Sequence, residues 1–349
     1  MTSVYKSFGV VLIVVFSCSV ASGQERNATY IPGQEGYPFS EGLAPIYDSR
    51  YWKDTPENAG YEIFGKYGFI DKKGRLVIPF LYEKAGEFND GLAPVAARRS
   101  KDQNELSYGY VNPRGEEVIP LHFQDARPFS EGFAAVKQAG KWRFIDINGN
   151  FTIKENFDDA QSFSEGLAAV KLEETDWGFI DTKGKLVIPF AHSSWFKFSD
   201  GLSAAGTLGT PGALINRKGE VSVTFRSGAI PTGAFSEGLI TLSGGIDKKS
   251  GQTLRGFGDK EGNIVIPLKY EGAYDFHEGL AAVRKDGKYG FIDKNGDLRI
   301  PHIFIITEGE FLQAPPVFSE GLAFVKGGYI DKQGEWVLRT YDTSGSNSK

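Results

Sequence analysis

Sulfur is nearly absent from this 349-residue chain, which holds one cysteine, Cys18, and one methionine, Met1. Both lie in the first 23 residues, so beyond that stretch neither a disulfide framework nor a thiolate metal site is available. Histidine is scarce too. His122, His192, His277 and His302 are the full set, and none pairs at metal-ligand spacing, so no metal and no cofactor is expected. There is no excess of basic charge: the formal net charge is −5. Without a basic stripe to neutralise phosphates, nucleic acid is not an expected partner. P-loop, Gly-x-Ser-x-Gly and dinucleotide fingerprints are missing. Gly256-Phe257-Gly258 follows no parallel strand and opens no helix. Helical periodicity is weak throughout, and the one long apolar run, residues 8–20, is too short to span a bilayer comfortably.

What the chain has in quantity is repetition. Phe163-Ser164-Glu165-Gly166-Leu167-Ala168-Ala169-Val170 is followed by Trp177-Gly178-Phe179-Ile180-Asp181 and then by Leu186-Val187-Ile188-Pro189. The aromatic-x-acid-Gly element recurs with its glycine at Gly42, Gly91, Gly132, Gly166, Gly201, Gly238, Gly279 and Gly321, at spacings of 34 to 49 residues. The second half recurs clearly from Gly68 to Pro79, Gly109 to Pro120 and Gly290 to Pro301, and more weakly from Arg143, Gly212, Gly256 and Gly328. Self-similarity at this period marks solenoids, propellers or arrays.

Each unit reads as three short antiparallel strands plus a return segment. Leu-Ala-Ala-Val and the aromatic, β-branched Trp-Gly-Phe-Ile-Asp are strand-like. Asp-x-x-Gly suits a tight hairpin loop. The Pro after Val-Ile is expected to end the third strand. The Gly inside the second strand marks a close approach by a neighbouring backbone. The strands are apolar on both faces, so each meander must be covered by its neighbours. The expected fold is therefore an all-β repeat protein of eight three-stranded meander units in series. An open, curved β-solenoid-like array is favoured, with a closed eight-bladed β-propeller as the alternative. A propeller places the N-terminal strand beside Trp336-Val337-Leu338; a solenoid leaves the ends apart.

Lys66-Tyr67-Gly68-Phe69-Ile70-Asp71, Trp177-Gly178-Phe179-Ile180-Asp181 and Lys288-Tyr289-Gly290-Phe291-Ile292-Asp293, with the Ile-Pro and Phe-Ser-Glu-Gly-Leu-Ala signatures, resemble the bacterial WG-repeat (KWG-repeat) family. The resemblance covers roughly residues 39 to 338. It implies an interaction module, often exported, with no reaction and no catalytic residues to carry over. Units five and six depart from the pattern. Pro211-Gly212-Ala213-Leu214-Ile215-Asn216 and Arg255-Gly256-Phe257-Gly258-Asp259 lack the aromatic, which puts regular stacking there in question.

Residues 1–23 read as a signal peptide, with Lys6, an apolar stretch and the small-residue site Ala21-Ser22-Gly23. Its removal takes one Lys and no acid, leaving the mature balance at −6. Val15-Phe16-Ser17-Cys18 also resembles a lipobox, making Cys18 a candidate lipid anchor. Export to the periplasm, cell surface or medium is expected, with no transmembrane span in the mature chain. Residues 24–38 form a lead-in in which Tyr30-Ile31-Pro32 echoes Val-Ile-Pro. The repeat domain runs over 39–342, and 343–349 is a small polar tail expected to be disordered.

The acid before each repeat glycine could be a cation ligand, but an active site seldom repeats eight times, so a turn acid bonding nearby N–H groups is the expectation. Tyr67, Tyr108, Trp142, Trp177 and Tyr289 could form a sugar-stacking ladder, though core packing is the stronger reading. Insertions at 47–62, 98–106 and 244–254 enter the same connection in units one, two and six. They make Tyr51, Trp52, Arg98, Arg99 and Lys101 the candidate binding residues. The function expected is an exported, non-enzymatic binding or scaffold protein for a protein or envelope-glycan partner. The alternative is a carbohydrate-active enzyme on a propeller, with Asp176, Glu308 and Glu310 as non-repeat acids to inspect.

Overall fold

A computed structural model describes residues 28–31, 33, 35–48, 66–98, 105–173, 176–204, 212–225, 228–248, 250–304 and 316–340. Among these residues every regular element is a strand. Each repeat makes its own small sheet, giving eight sheets with antiparallel neighbours inside each repeat. In the fourth unit the order from the inside outward is Asp159–Ala160, Leu167–Lys171, Trp177–Asp181 and Leu186–His192. The return segment expected after the third strand is thus the innermost strand of the next sheet. In the third unit the outer strand is reduced to bridges at Phe151 and Phe157.

The two ends of the chain meet. Thr29–Ile31 pairs in parallel with Trp336–Thr340, with Thr29 opposite Leu338 and Ile31 opposite Thr340. The ring is therefore a closed eight-bladed propeller, which corrects the favoured open array. The physical reason lies in the cluster of Ile31, Phe39, Ala44, Tyr329 and Leu338, all buried. An open array would leave these apolar faces of the first and last units in water; closure buries them against each other.

Blade-to-blade packing follows one rule. The Phe of each Phe-x-acid-Gly element inserts beside the side chain that follows the second-strand glycine position of the preceding blade. Centroid distances are 5.1 Å for Phe69–Phe88, 4.7 Å for Tyr110–Phe129, 5.1 Å for Phe179–Phe198 and 5.0 Å for Tyr329–Phe39 across the closure. These are edge-on or tilted pairs, the geometry aromatic quadrupoles favour. The degenerate units keep the rule. Leu214, with no exposed surface, packs in one cluster with Phe235, and Phe257 lies 4.8 Å from Phe276. Stacking is regular where the sequence put it in question, because the contact between blades is made by the residue after the glycine position, Leu214 or Phe257, and not by the aromatic before it that these units lack.

One local expectation needs correction. The third strand does not end at the proline: Leu76–Tyr82 runs through Pro79. Tyr67 pairs with Tyr82 and Phe69 with Ile78, so four residues on one strand answer two on the other. Pro79 sits inside this bulge, where its missing N–H leaves no ladder bond unmade. The glycine of the second strand meets the close backbone approach expected of it, and the backbone is that of this bulge. A Cβ on Gly109 would lie 2.5 Å from the Ile119 carbonyl oxygen.

Candidate functional site

The repeated acids occupy one end of the ring. Each sits in the left-handed region, with φ from 52° to 56°. Seven of the eight carboxylates reach the next blade. Gly91 N–H donates to Glu41, Gly132 to Asp90, Gly166 to Glu131, Gly201 to Glu165, Gly279 to Glu237, Gly321 to Glu278 and Gly42 to Glu320, at 2.8 to 3.3 Å. A serine one residue earlier adds a second link: Ser164 Oγ donates to the Phe198 carbonyl at 2.7 Å, and Ser319 Oγ to that of Phe39. The acids are structural, as expected, but the N–H they accept belongs to the following unit and not to their own turn. Lysines of the outer hairpins add charge. Lys72 stands 2.7 Å from Glu320, Lys294 3.1 Å from Glu237 and Lys332 3.1 Å from Glu278. Burial raises the Glu237 and Glu320 carboxyls, but the lysine and backbone N–H bonds outweigh it and hold both below the usual carboxylate range.

The Asp-x-x-Gly hairpins lie at this end as well. Asp71 Oδ1 accepts the N–H groups of Lys73 and Arg75 at 2.9 Å. Asn112 does the same for Arg114 and Glu116, so the amide replaces the carboxylate without loss of the turn.

The opposite end carries the connections between first and second strands, such as the one from Lys171 to Trp177. A second repeated acceptor, missed by the sequence reading, ties four of them down. Asp158 accepts Glu173 N–H, Gln124 accepts Gly140 N–H, and Glu271 accepts those of Asp286 and Gly287. The signal was present: each follows the aromatic that ends an outer strand, as in Phe157-Asp158 and Tyr270-Glu271. Arg98, one of the candidate binding residues, is held by the equivalent Glu83, with its N–H at 3.4 Å and its guanidinium at 3.2 Å. Tyr51, Trp52, Arg99 and Lys101 lie outside the described residues, as do Cys18, Glu308 and Glu310. The insertion of unit six is not a loose loop. Strands Leu239–Ile246 and Thr253–Asp259 extend into it and pair Ile246 with Thr253.

The aromatic ladder dissolves into the core. Tyr67, Trp142 and Tyr289 are buried, and Trp177 packs on Trp195 at 5.6 Å. The burial that hides the Tyr67 hydroxyl raises its pKa.

One cavity of about 710 Å³ opens at the ring axis. Pro38, Glu87, Asp275 and Val317, each just before the buried Phe of its Phe-x-acid-Gly element, line it from four blades. This column of the repeat holds unlike residues in successive units, and that irregularity was the signal available in the sequence. Asp275 Oδ1 accepts the Thr241 hydroxyl at 2.7 Å, and Arg255 Nη1 donates to Thr232 Oγ1 at 3.3 Å. Arg284 Nε donates to Glu271 at 3.1 Å. Tyr274 stacks on Tyr289 at 5.8 Å and 27°. Burial pushes the Glu87 carboxyl above its usual range, against the opposing pull of Lys197. Among the described residues no group of three or more His, Cys, Asp or Glu is placed to hold a metal ion, and no helix is long and apolar enough to cross a membrane.

The family profile described as "WG containing repeat" matches residues 67–96, 108–142, 142–175, 177–205, 256–289 and 289–304, together about half of the chain. Among curated proteins, none matches. Among solved structures, the chain is similar to the computationally designed Ika8 protein, with 13% identity over 88% of this chain and 98% of that one, at a TM-score of 0.51. That likeness bears on the fold alone. A eukaryotic initiation factor matches at 10% identity over 78% of this chain and 89% of that one, with a TM-score of 0.47. BamB from Moraxella catarrhalis matches at 12% over 89% and 92%, with a TM-score of 0.42.

Proposed function

This chain belongs to the family of WG-containing repeat proteins, and from that premise we propose that it is an exported, non-enzymatic binding or scaffold protein. The observation that carries this reading is how the repeated chemistry is used. The acid, serine and Asx groups that recur in the units are engaged in holding blade to blade or closing hairpins. What differs between units is concentrated at the axial cavity and at the end opposite the acids, where inserted connections emerge. A rigid ring with individual groups on one end suits recognition. The partner is a protein or an envelope glycan. Export rests on Lys6, the apolar run and Ala21-Ser22-Gly23; Cys18 is the lipid attachment point if the lipobox is the one used.

Two measurements test the reading. Mass spectrometry of the mature N-terminus from fractionated cells is expected to find the chain outside the cytoplasm, beginning near residue 24 or at a lipidated Cys18. Affinity capture with the mature chain is expected to retain a partner. A full-length cytoplasmic product starting at Met1 would overturn the export reading.

A second reading, glycoside hydrolysis, draws on one observation. Glu87, with its carboxyl raised by burial, shares a cavity with a second carboxylate, Asp275. Turnover of a chromogenic glycoside, abolished in Glu87→Gln, would establish it over binding alone.

A further inference from the structure

We propose that the axial cavity binds an uncharged polyhydroxylated ligand, a saccharide, with Glu87, Arg255, Tyr274 and Asp275 as its contacts. The inference rests on the binding reading above and names a ligand class for one of its two surfaces.

Size comes first. At about 710 Å³ the cavity lies within the roughly 300–1,000 Å³ span of small-molecule sites. Its lining departs from the usual apolar pocket. Carboxylates, guanidinium groups, hydroxyls and an amide outnumber the apolar side chains, of which Pro38 and Val317 are the largest. An apolar ligand would leave those groups desolvated and unpaired, at a cost that rises with each one. The ligand must therefore offer many hydrogen-bonding groups.

Charge decides between the polar classes. Glu271 and Arg284 are paired to each other at 3.1 Å. That leaves Glu87 and Asp275 against Arg255, with Lys197 near enough to Glu87 to act on its carboxyl. An anionic ligand would meet two carboxylates, and a polycation would meet the guanidinium. A neutral polyol meets neither penalty, because hydroxyls donate to carboxylates and accept from arginine. The geometry agrees. Glu87 comes from the second blade, Arg255 from the sixth and Asp275 from the seventh, so acceptors and donor approach the axis from different directions. Hydroxyls project around the edge of a pyranose ring in the same way. The half-buried Tyr274, braced by Tyr289, presents an aromatic ring to the less polar sugar face. Asp275 is already oriented by the Thr241 hydroxyl, and Gly233 makes room for it, since a Cβ there would stand 2.8 Å from Asp275 Oδ1.

The test is isothermal titration of the mature chain, from residue 24, with maltotriose, cellobiose and chitobiose, and with spermidine and citrate as charged probes. At least one neutral saccharide is expected to bind in the millimolar range or tighter. Its affinity should fall roughly tenfold in Tyr274→Ala and in Asp275→Ala, the scale of one lost well-formed contact. Because Asp275 also holds Thr241, circular dichroism must show each variant folded, and Glu87→Gln, which keeps shape, serves as the milder probe with a smaller expected loss. The inference is overturned if none of the saccharides binds, if binding survives both alanine variants, or if a charged probe is taken in their place. Capture of a protein partner without any saccharide binding would leave the binding function standing and remove this inference alone.

Discussion

The carboxylate of Glu320 accepts the backbone N–H of Gly42 at 2.9 Å, across 278 residues of chain. The same bond joins Glu278 to Gly321 and Glu237 to Gly279 at 3.0 to 3.2 Å. Ring closure therefore uses no special lock at this end. The last blade treats the first as the next repeat.

Removing that carboxylate tests whether the ends meet in solution. Glu320→Ala should cost about 1–2 kcal/mol, the value of a charge-assisted bond at a partly exposed site. Glu165→Ala, which breaks the equivalent link to Gly201 inside the array, should cost a similar amount. Urea titration of both variants is the measurement. A loss in Glu165→Ala with none in Glu320→Ala would mean that the closure is not populated.

The opposite reach of the closure is made by the N-terminal strand. Ile31 is fully buried, pairs with Thr340 and shares a core cluster with Leu338. A Cβ on the hairpin glycine Gly74 of the first blade would meet Ile31 and Leu338 at 2.5 and 3.2 Å, as one on Gly115 would meet Ile78 of the blade before it. Ile31→Ala should destabilise by roughly 2–5 kcal/mol, read as a lower melting temperature. No effect would place the first strand off the ring.

Most of the blade was legible in the sequence, because its cause is local. Asx hairpins, aromatic strands and the repeated acid depend on neighbours within a few residues, and period alone identifies them. Closure was not. It depends on the accumulated rotation of eight blades, which no single unit encodes, and Tyr30-Ile31-Pro32 was the one clue. The proline bulge was misread because proline ends a ladder far more often than it sits within one. The cavity was not legible in the repeat, because Glu87 and Asp275 occupy the one column whose residues do not recur. The candidate Arg98 was legible as an unusual loop charge, but its partner Glu83 could be found only with the corner folded.

Glycines of two kinds should respond differently to one methyl group. A Cβ on Gly290 would lie 2.6 Å from the Ile300 carbonyl oxygen, a backbone atom fixed in the bulge. Gly132 has φ of +81° but nothing within 4 Å of its missing Cβ. Gly132→Ala should cost only its backbone strain, about 1 kcal/mol. Gly290→Ala should exceed it severalfold or fail to give soluble protein. Comparable denaturation midpoints would contradict the bulge.

The aromatic contacts between blades predict a larger effect than any turn acid. Phe179 is 1% exposed and meets Phe198 of the next blade at 5.1 Å. Phe179→Ala should cost roughly 3–5 kcal/mol. Since that ring belongs to two blades, hydrogen exchange should quicken in both the fourth and the fifth, and quickening in the fourth alone would argue against shared packing.

Glu87 gives a pH-dependent prediction whose sign is opposite to that of the turn acids. Burial raises its pKa in the folded ring above the ordinary carboxylate value of 4.5, with Lys197 pulling the other way. Below that value the carboxyl is protonated in both folded and unfolded chains, and its burial carries no charge penalty. As pH rises toward the folded pKa the unfolded chain ionises first, and the stability contributed by the neutral form is lost. Glu237 and Glu320, held low by lysine and backbone bonds, behave in reverse and weaken the ring as pH falls. Absolute stability therefore mixes both trends, and the informative quantity is the difference between Glu87→Gln and the parent at each pH. The glutamine variant should match the parent near pH 4 and melt at a higher temperature at pH 7, and Lys197→Ala should widen that gap by removing the compensating charge. Equal melting temperatures across the range would mean that Glu87 is hydrated in the folded ring and that the axis is open to bulk water.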